Sequence, residues 1–261
     1  EPNDFDFYRY RAYSKYSLED FKGAIADLDK AIEIGDDDLF SVYDYRASSK
    51  DWINDSEGAI EDYDKTIELD PNFAKGYYGR GKYKFLEKDY EGAIADLNKA
   101  IEIEPASANN THYFSRGSSK YWKQDYKGAI TDIKRMNNPG RDGYMIMGMS
   151  NYWINDYKEA IADLTKSIEL DGDQGSAFNF RGVSKLYLKD PKGAIADLNK
   201  AIELGENSSD IYHHRGISKG IIENYKGAFE DLNKAIELDS DFANYYFDRA
   251  SLYEKTENYS E

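Results

Sequence analysis

Apolar residues along this chain recur at helical spacing in two alternating registers. Between Ala74 and Lys88, Tyr77, Gly81 and Phe85 fall four residues apart and mark one face of a first helix. From Tyr90 onward, Ala93, Ile94, Leu97, Ala100 and Ile101 recur at three and four and mark the face of a second. The spacing predicts helices, not strands. The same pair of patterns then returns along the chain. The Ala of each G-A-I or E-A-I stands at 24, 59, 93, 129, 160, 194 and 228, at intervals of 35, 34, 36, 31, 34 and 34. The seven residues DLNKAIE occur at 96–102, 197–203 and 231–237. A fixed period of this size predicts a stacked array of helix pairs in which each unit buries its apolar face against its neighbours.

Polar residues punctuate the pattern. Asp20, Asp55, Asp89, Asp125, Asp156, Asp190, Asn224 and Asn258 each precede a second helix. A side-chain oxygen at that position accepts bonds from main-chain N–H groups that otherwise lack partners, for ~1 kcal/mol each. These eight residues are therefore expected to be caps, not an acidic site. Pro71, Pro105, Gly35, Gly172 and Gly205 end the second helices.

The 34-residue period, Tyr77 with Gly81, Tyr113 with Gly117 and Tyr212 with Gly216 on the first helices, Ala93, Leu97 and Ala100 on the second, and the closing Asp70-Pro71 resemble the tetratricopeptide repeat. The resemblance runs over essentially the whole chain. It implies an all-α superhelix whose first helices line a concave groove, with seven full helix-turn-helix repeats and the first helix of an eighth. The repeats run over about 5–38, 40–73, 74–107, 110–140, 141–174, 175–208 and 209–242, with a partial one at 243–261. Ala12, Ala47, Gly81, Gly117, Gly148, Gly182, Gly216 and Ala250 stand where the first helix must approach its partner closely.

Three departures from the family pattern stand out. Just before the small residue, where the family usually has leucine, stand Arg11, Arg46, Arg80, Arg116, Arg181, Arg215 and Arg249. A charge at a half-buried position needs a partner, and the second helices supply Asp27, Asp62, Asp96, Asp132, Asp163, Asp197 and Asp231. A ladder of Arg to Asp pairs between packed helices is expected, with Lys15, Lys50, Lys84, Lys120, Lys185 and Lys219 as a solvated column beside it. The array also breaks at 134–141, where Pro139 and Gly140 are expected to stop the fourth second helix early and where Met147 replaces the Arg in the next repeat. Finally, Glu1-Pro2-Asn3-Asp4 matches Asp70-Pro71-Asn72-Phe73, and Glu261 falls where an eighth second helix would begin. The chain therefore reads as a piece of a longer array, or as a protein whose ends meet something else.

Composition narrows the function. An apolar fraction of 40% with 24 Tyr and 12 Phe suffices for a core. The formal charge of −16 argues against nucleic acid or an anionic membrane as partner and favours a basic or neutral one. Without cysteine there are no disulfides, thiolate metal sites or cysteine nucleophiles. No apolar run reaches membrane-span length and the N-terminus carries no signal-peptide core, so the chain as given reads as soluble, in a compartment the sequence leaves open. Sequons beginning at Asn54, Asn109, Asn207 and Asn258 carry little weight.

Nothing points to catalysis. His112, His213 and His214 lack metal-ligand spacing, and Asp36-Asp37-Asp38 lacks the Gly and terminal Glu of a calcium loop. Gly-rich phosphate loops are absent, so no enzyme, cofactor or metal is expected. The resemblance places a ligand on one stripe of the first helices: Tyr78, Lys82 and Phe85; Phe114, Tyr121 and Trp122; Met145, Met149, Tyr152 and Trp153; Asn179, Val183 and Leu186; and His213. Such a stripe suits a peptide or partner protein with apolar anchors. The other reading of Trp122, Trp153 and several Tyr is core between helices. Some family members grip a C-terminal carboxylate with Lys and Asn four residues apart; no pair here reads so. The function expected is a protein-interaction module, the alternative a scaffold that assembles end to end through uncapped repeats.

Overall fold

The computed structural model describes residues 4–35, 38–106 and 109–257. Glu1-Pro2-Asn3, Asp36 and Asp37, and the expected cap Asn258 with the residues after it lie outside these. Among the described residues there are fifteen α-helices and no strand. They form two compact units, residues 1–125 and 126–261.

The first unit holds α1 (Phe5–Ser17), α2 (Phe21–Ile34), α3 (Leu39–Trp52), α4 (Ser56–Leu69), α5 (Ala74–Leu86), α6 (Tyr90–Ile103) and α7 (Asn110–Trp122). Here α1 packs on α2, α3 on α4 and α5 on α6. Each second helix packs on the next first helix, and α1 meets α3 as α5 meets α7. The second unit holds α8 (Tyr126–Ile133), α9 (Gly140–Trp153), α10 (Tyr157–Leu170), α11 (Gly175–Tyr187), α12 (Pro191–Glu203), α13 (Ser209–Ile221), α14 (Tyr225–Leu238) and α15 (Ala243–Glu257). Its pairs are α9 with α10, α11 with α12 and α13 with α14, with α9, α11, α13 and α15 in contact in succession. No helix among the described residues is long and apolar enough to cross a membrane.

The core follows the repeated word. Ala93, Leu97 and Ala100 of α6, Ala194, Leu198 and Ala201 of α12, and Ala228, Leu232 and Ala235 of α14 are all buried. A Cβ on Gly81 would lie 3.1 Å from Leu97 Cγ, which is why a small residue stands there. Each buried Leu contributes roughly 1.5–3 kcal/mol. Ala250 departs from this pattern: it is exposed, with no second helix against it among the described residues.

Asp20, Asp55, Asp89 and Asp190 accept from the main-chain N–H of the Gly three residues on at 2.9–3.1 Å, and Asn224 does so at 3.2 Å. A Cβ on Gly23 would stand 2.0 Å from the Asp20 carboxylate, so glycine keeps the cap close. Where Glu159 replaces it, its main-chain N–H donates to Asp156 at a longer 3.4 Å. Ahead of every cap the chain turns through a non-glycine residue with positive φ: Glu19, Asn54, Lys88, Gln124, Asn155, Lys189 and Glu223.

The Arg column forms the expected ladder. Arg11, Arg46, Arg80, Arg181 and Arg215 each grip the Asp sixteen residues on with two bonds of 2.5–2.9 Å. The remaining guanidinium nitrogen reaches back to the preceding second helix. Arg46 meets Asp29, Arg80 Asp64, Arg116 Asn98, Arg181 Thr165, Arg215 Asn199 and Arg249 Asn233, at 2.6–3.1 Å. Arg46, Arg80, Arg181 and Arg215 therefore each tie three helices together. The Tyr or Phe three residues earlier lies under each guanidinium, as Tyr77 does under Arg80 at 5.6 Å.

The Lys column is not solvated as expected. Lys15, Lys50, Lys84, Lys185 and Lys219 lie 2.7–2.9 Å from the second oxygen of the same buried Asp. Standing four residues after Arg on the same helix face, each Lys reaches an oxygen that is buried and takes only one Arg bond. Hydrogen bonds from Arg11 hold the Asp27 carboxyl below the usual carboxylate range.

The break also differs from expectation. α8 ends at Ile133, six residues before Pro139, because Met136 and Asn137 stand where Ala100 and Ile101 anchor the last turn of α6. Pro139 instead precedes α9 as its N-cap. At this junction the buried Asp163 is kept while the Arg, the Lys and the Arg's back acceptor are all exchanged. Met147 replaces Arg, Asn151 replaces Lys and donates to Asp163 at 3.0 Å, and Lys134 stands where an acceptor would be. Lys166, not Arg, lies over Tyr144 at 5.1 Å.

Asp197→Asn removes the charge that two half-buried cations share. It should lower stability by about 3–5 kcal/mol in urea unfolding followed by circular dichroism. Lys189→Gly relieves a left-handed backbone without touching a contact and should raise stability by about 1 kcal/mol in the same measurement.

Candidate interaction surface

The first helices carry residues that bond to one another across repeats. In the first unit Lys82 of α5 lies 2.8 Å from Asp51 of α3, whose same oxygen accepts the Tyr83 hydroxyl, and Lys75 lies 2.6 Å from Asp44. Tyr78 stacks on His112 of α7 at 4.1 Å between centroids, and burial lowers the His112 pKa. Phe85 is half-buried and tilts against Tyr90 at 5.9 Å; Phe114 and Tyr121 are also half-buried.

In the second unit the predicted residues divide. Met149, Val183 and His213 are buried and pack the interior, His213 with its Nε2 2.6 Å from Asp248 of α15. Met145, Asn179 and Leu186 are half-buried. Ser176 Oγ lies 3.9 Å from the Met145 sulfur, and Asn179 Oδ1 is buried without a hydrogen-bond partner. Tyr152 is the hub of an aromatic cluster, meeting Trp153, Tyr157, Phe180 and Tyr187 with centroids 5.1–6.5 Å apart. Burial, then Tyr187 and Tyr157, push the Tyr152 hydroxyl up to about 12.

Phe180, Tyr187 and Tyr157 were not on the predicted stripe. Tyr187 was legible, because it stands 34 residues after Trp153 in the same register. That register explains the tryptophans. Trp52, Trp122 and Trp153 close first helices and lie flat on Phe21, Tyr90 and Tyr126, which open the preceding second helices, at 5.4–6.0 Å and within 14° of parallel. Tyr187 stacks on Tyr157 in the same way at 4.6 Å. The tryptophans are 65%, 57% and 49% exposed, so they are platforms at the turns and not core between helices. Among the described residues no group of His, Asp or Glu is placed to hold a metal ion.

Two tetratricopeptide repeat family models match the chain, over residues 53–109 in the first unit and 142–174 in the second. The chain is a tetratricopeptide repeat protein. Solved structures of this repeat protein's fold agree. YrrB, described as a protein of this class with an unusual peptide-binding site, aligns over 72% of this chain and 97% of its own, with a TM-score of 0.61 at 21% identity. A tetratricopeptide repeat protein from Parabacteroides merdae aligns over 95% of this chain and 98% of its own, with a TM-score of 0.58 at 15% identity. The anaphase-promoting complex hetero-tetramer Cut9–Hcn1 aligns over 91% of this chain and 47% of its own, with a TM-score of 0.56 at 19% identity. At these identities the likeness establishes the fold alone. Among curated protein sequences nothing matches.

Acrylamide should quench the fluorescence of all three tryptophans in the folded repeat protein nearly as well as in urea. Strong protection of any one of them, identified with single Trp→Phe variants, would contradict the platform geometry.

Proposed function

We propose that this chain is a protein-interaction module that holds a peptide or a partner segment along its first helices, with no chemistry of its own. Proteins of this repeat class mediate protein–protein interactions. One observation carries the finer reading: the half-exposed aromatic cluster around Tyr152, whose Phe180 follows Asn179, the residue with an unpartnered Oδ1, in α11. Aromatic faces bind apolar anchors, and a buried acceptor without a donor favours a ligand N–H. The first unit supports a different contact. There Lys75 and Lys82 are already paired with Asp44 and Asp51, so a charged ligand would have to displace an existing partner. The reading therefore favours a neutral or basic segment with bulky apolar anchors, engaged mainly by the second unit. That YrrB is described as having a peptide-binding site agrees with this reading.

A second reading is end-to-end assembly. Its observation is α15, where Phe247 is 72% exposed and Tyr246 and Tyr253 stand exposed beside it. Such a face suits contact with a further helix, of a second copy or of the same array.

A peptide array rich in Trp, Phe, Leu and Met should yield ligands whose affinity falls by at least about ten-fold, ~1.4 kcal/mol, in Tyr152→Ala and Phe180→Ala, with Lys82→Ala nearly unchanged. Ligands indifferent to both aromatic variants would remove the reading. Light scattering over a wide concentration range decides the second one. A constant mass near 30.0 kDa excludes it, and growth that Phe247→Ser abolishes establishes it.

A further inference from the structure

The clamps of Arg11, Arg46, Arg80, Arg181 and Arg215 give each buried Asp two cations, and among the described residues the junction of α9 with α10 gives Asp163 none within bonding distance. Asp163 is 7% exposed, as deeply buried as Asp197 at 5%, yet its one bonded partner is the neutral Asn151 amide at 3.0 Å. Every element packed against α10 leaves it so. α9 presents Met147 and Asn151, and its charged Arg141 and Asp142 are engaged with each other and with Asp171. α11 presents Arg181 and Lys185, both committed to Asp197, with Arg181 also on Thr165. The charges near Asp163 are Lys166 and Glu159 of its own helix and Lys134 after α8; they act through space without a bond to it.

We propose that the contact between α9 and α10 is a proton-responsive joint. Near neutral pH the buried, cation-free carboxylate of Asp163 favours local opening of the two helices, and uptake of one proton from solvent closes them. The direction follows from linkage. Burial raises the pKa of Asp163 in the packed state, whereas the opened state exposes it to water and an ordinary carboxylate value of about 3.9. The packed form therefore binds the proton more tightly, and stability rises as pH falls through the raised value towards the ordinary one. The clamped pairs respond oppositely. Asp27, held below its usual range, loses stabilisation only as pH falls past the ordinary value. Mild acid thus tightens this joint while leaving the clamped pairs unchanged.

The device deepens the proposed function, because α9 carries Tyr152 and Trp153, but its test does not depend on any ligand. Amide hydrogen exchange of the whole chain is followed by mass spectrometry from pH 7.5 to 4.5 and corrected for intrinsic rates. The opening constant of α9 and α10 should fall by roughly three- to ten-fold per pH unit once the carboxylate begins to titrate, while that of the histidine-free clamped pair α3 and α4 stays flat. Asp163→Asn should flatten the dependence and hold the joint closed at pH 7.5. Met147→Arg combined with Lys134→Asn rebuilds the clamp, and it should flatten the dependence even where Asp163→Asn fails to fold. A wild-type joint with no pH dependence beyond that of α3 and α4, or a dependence that survives both variants, overturns the proposal.

Discussion

A buried carboxylate must be given positive charge or lose its own, and this fold is arranged around that requirement. The Asp of each second helix sits where Ala and Leu are packing inward, at a depth water does not reach. Its two oxygens face one Arg and one Lys that stand four residues apart on the first helix of the same repeat. The Arg is the more consequential partner because its planar fork binds three ways at once: two nitrogens for its own Asp and one for the preceding repeat. Buried ion pairs add little net stability against apolar residues of the same shape, but they are costly to mismatch. Their effect here is to set register. Two helices of Ala, Leu and Ile can slide by a turn at small cost, and a bidentate bond between residues sixteen apart cannot.

That constraint explains why the sequence was so readable at one level. Period, helix number and cap positions all came from residues whose role is local: Asp89 needs only the N–H of Gly92, and Ala93, Leu97 and Ala100 need only the next helix. The Arg to Asp pairing was readable too, since a column of cations and a column of anions recur with the same period. What misled was treating Lys as a surface residue. Lys84 is half-buried because its stem runs along the helix to an Asp96 oxygen that it shares with the Arg80 Nε, and composition carries no sign of that. The end of α8 misled in another way. Pro139 looked like the stop, but a helix ends where its packing ends, and Met136 and Asn137 had already removed the anchors.

The interaction surface was less legible because exposure belongs to a side chain and its neighbours together. Met149 and Phe180 are both apolar and both on first helices, yet one is buried and the other contributes to a half-open cluster. Position within one helix does not separate them. Tyr187 and the tryptophans would have been found by extending the period to the last residue of each first helix, where an aromatic meets the first residue of the preceding second helix. Such a stack joins consecutive repeats at their turn edge, as the Arg clamp joins them nearer the middle.

The junction at Met147 is where these two scales of argument meet. Loss of Arg alone would leave one Asp oxygen unbonded with Lys on the other, and loss of Lys alone would leave both oxygens held by the Arg fork. Here both are absent, an amide takes one bond, and Lys134 and Lys166 supply positive charge from outside hydrogen-bond range. Lys134 is the telling member of the set. In the position where Asn98 or Asn199 accepts from an Arg it could only repel one, so its presence and the absence of Arg at 147 are one change. A junction altered at every contact in a consistent sense has a different balance of forces from its neighbours. It is held by Met147, Leu164 and the close approach at Gly148, while the cost of burying the Asp163 charge is offset only by one amide bond and two unbonded cations.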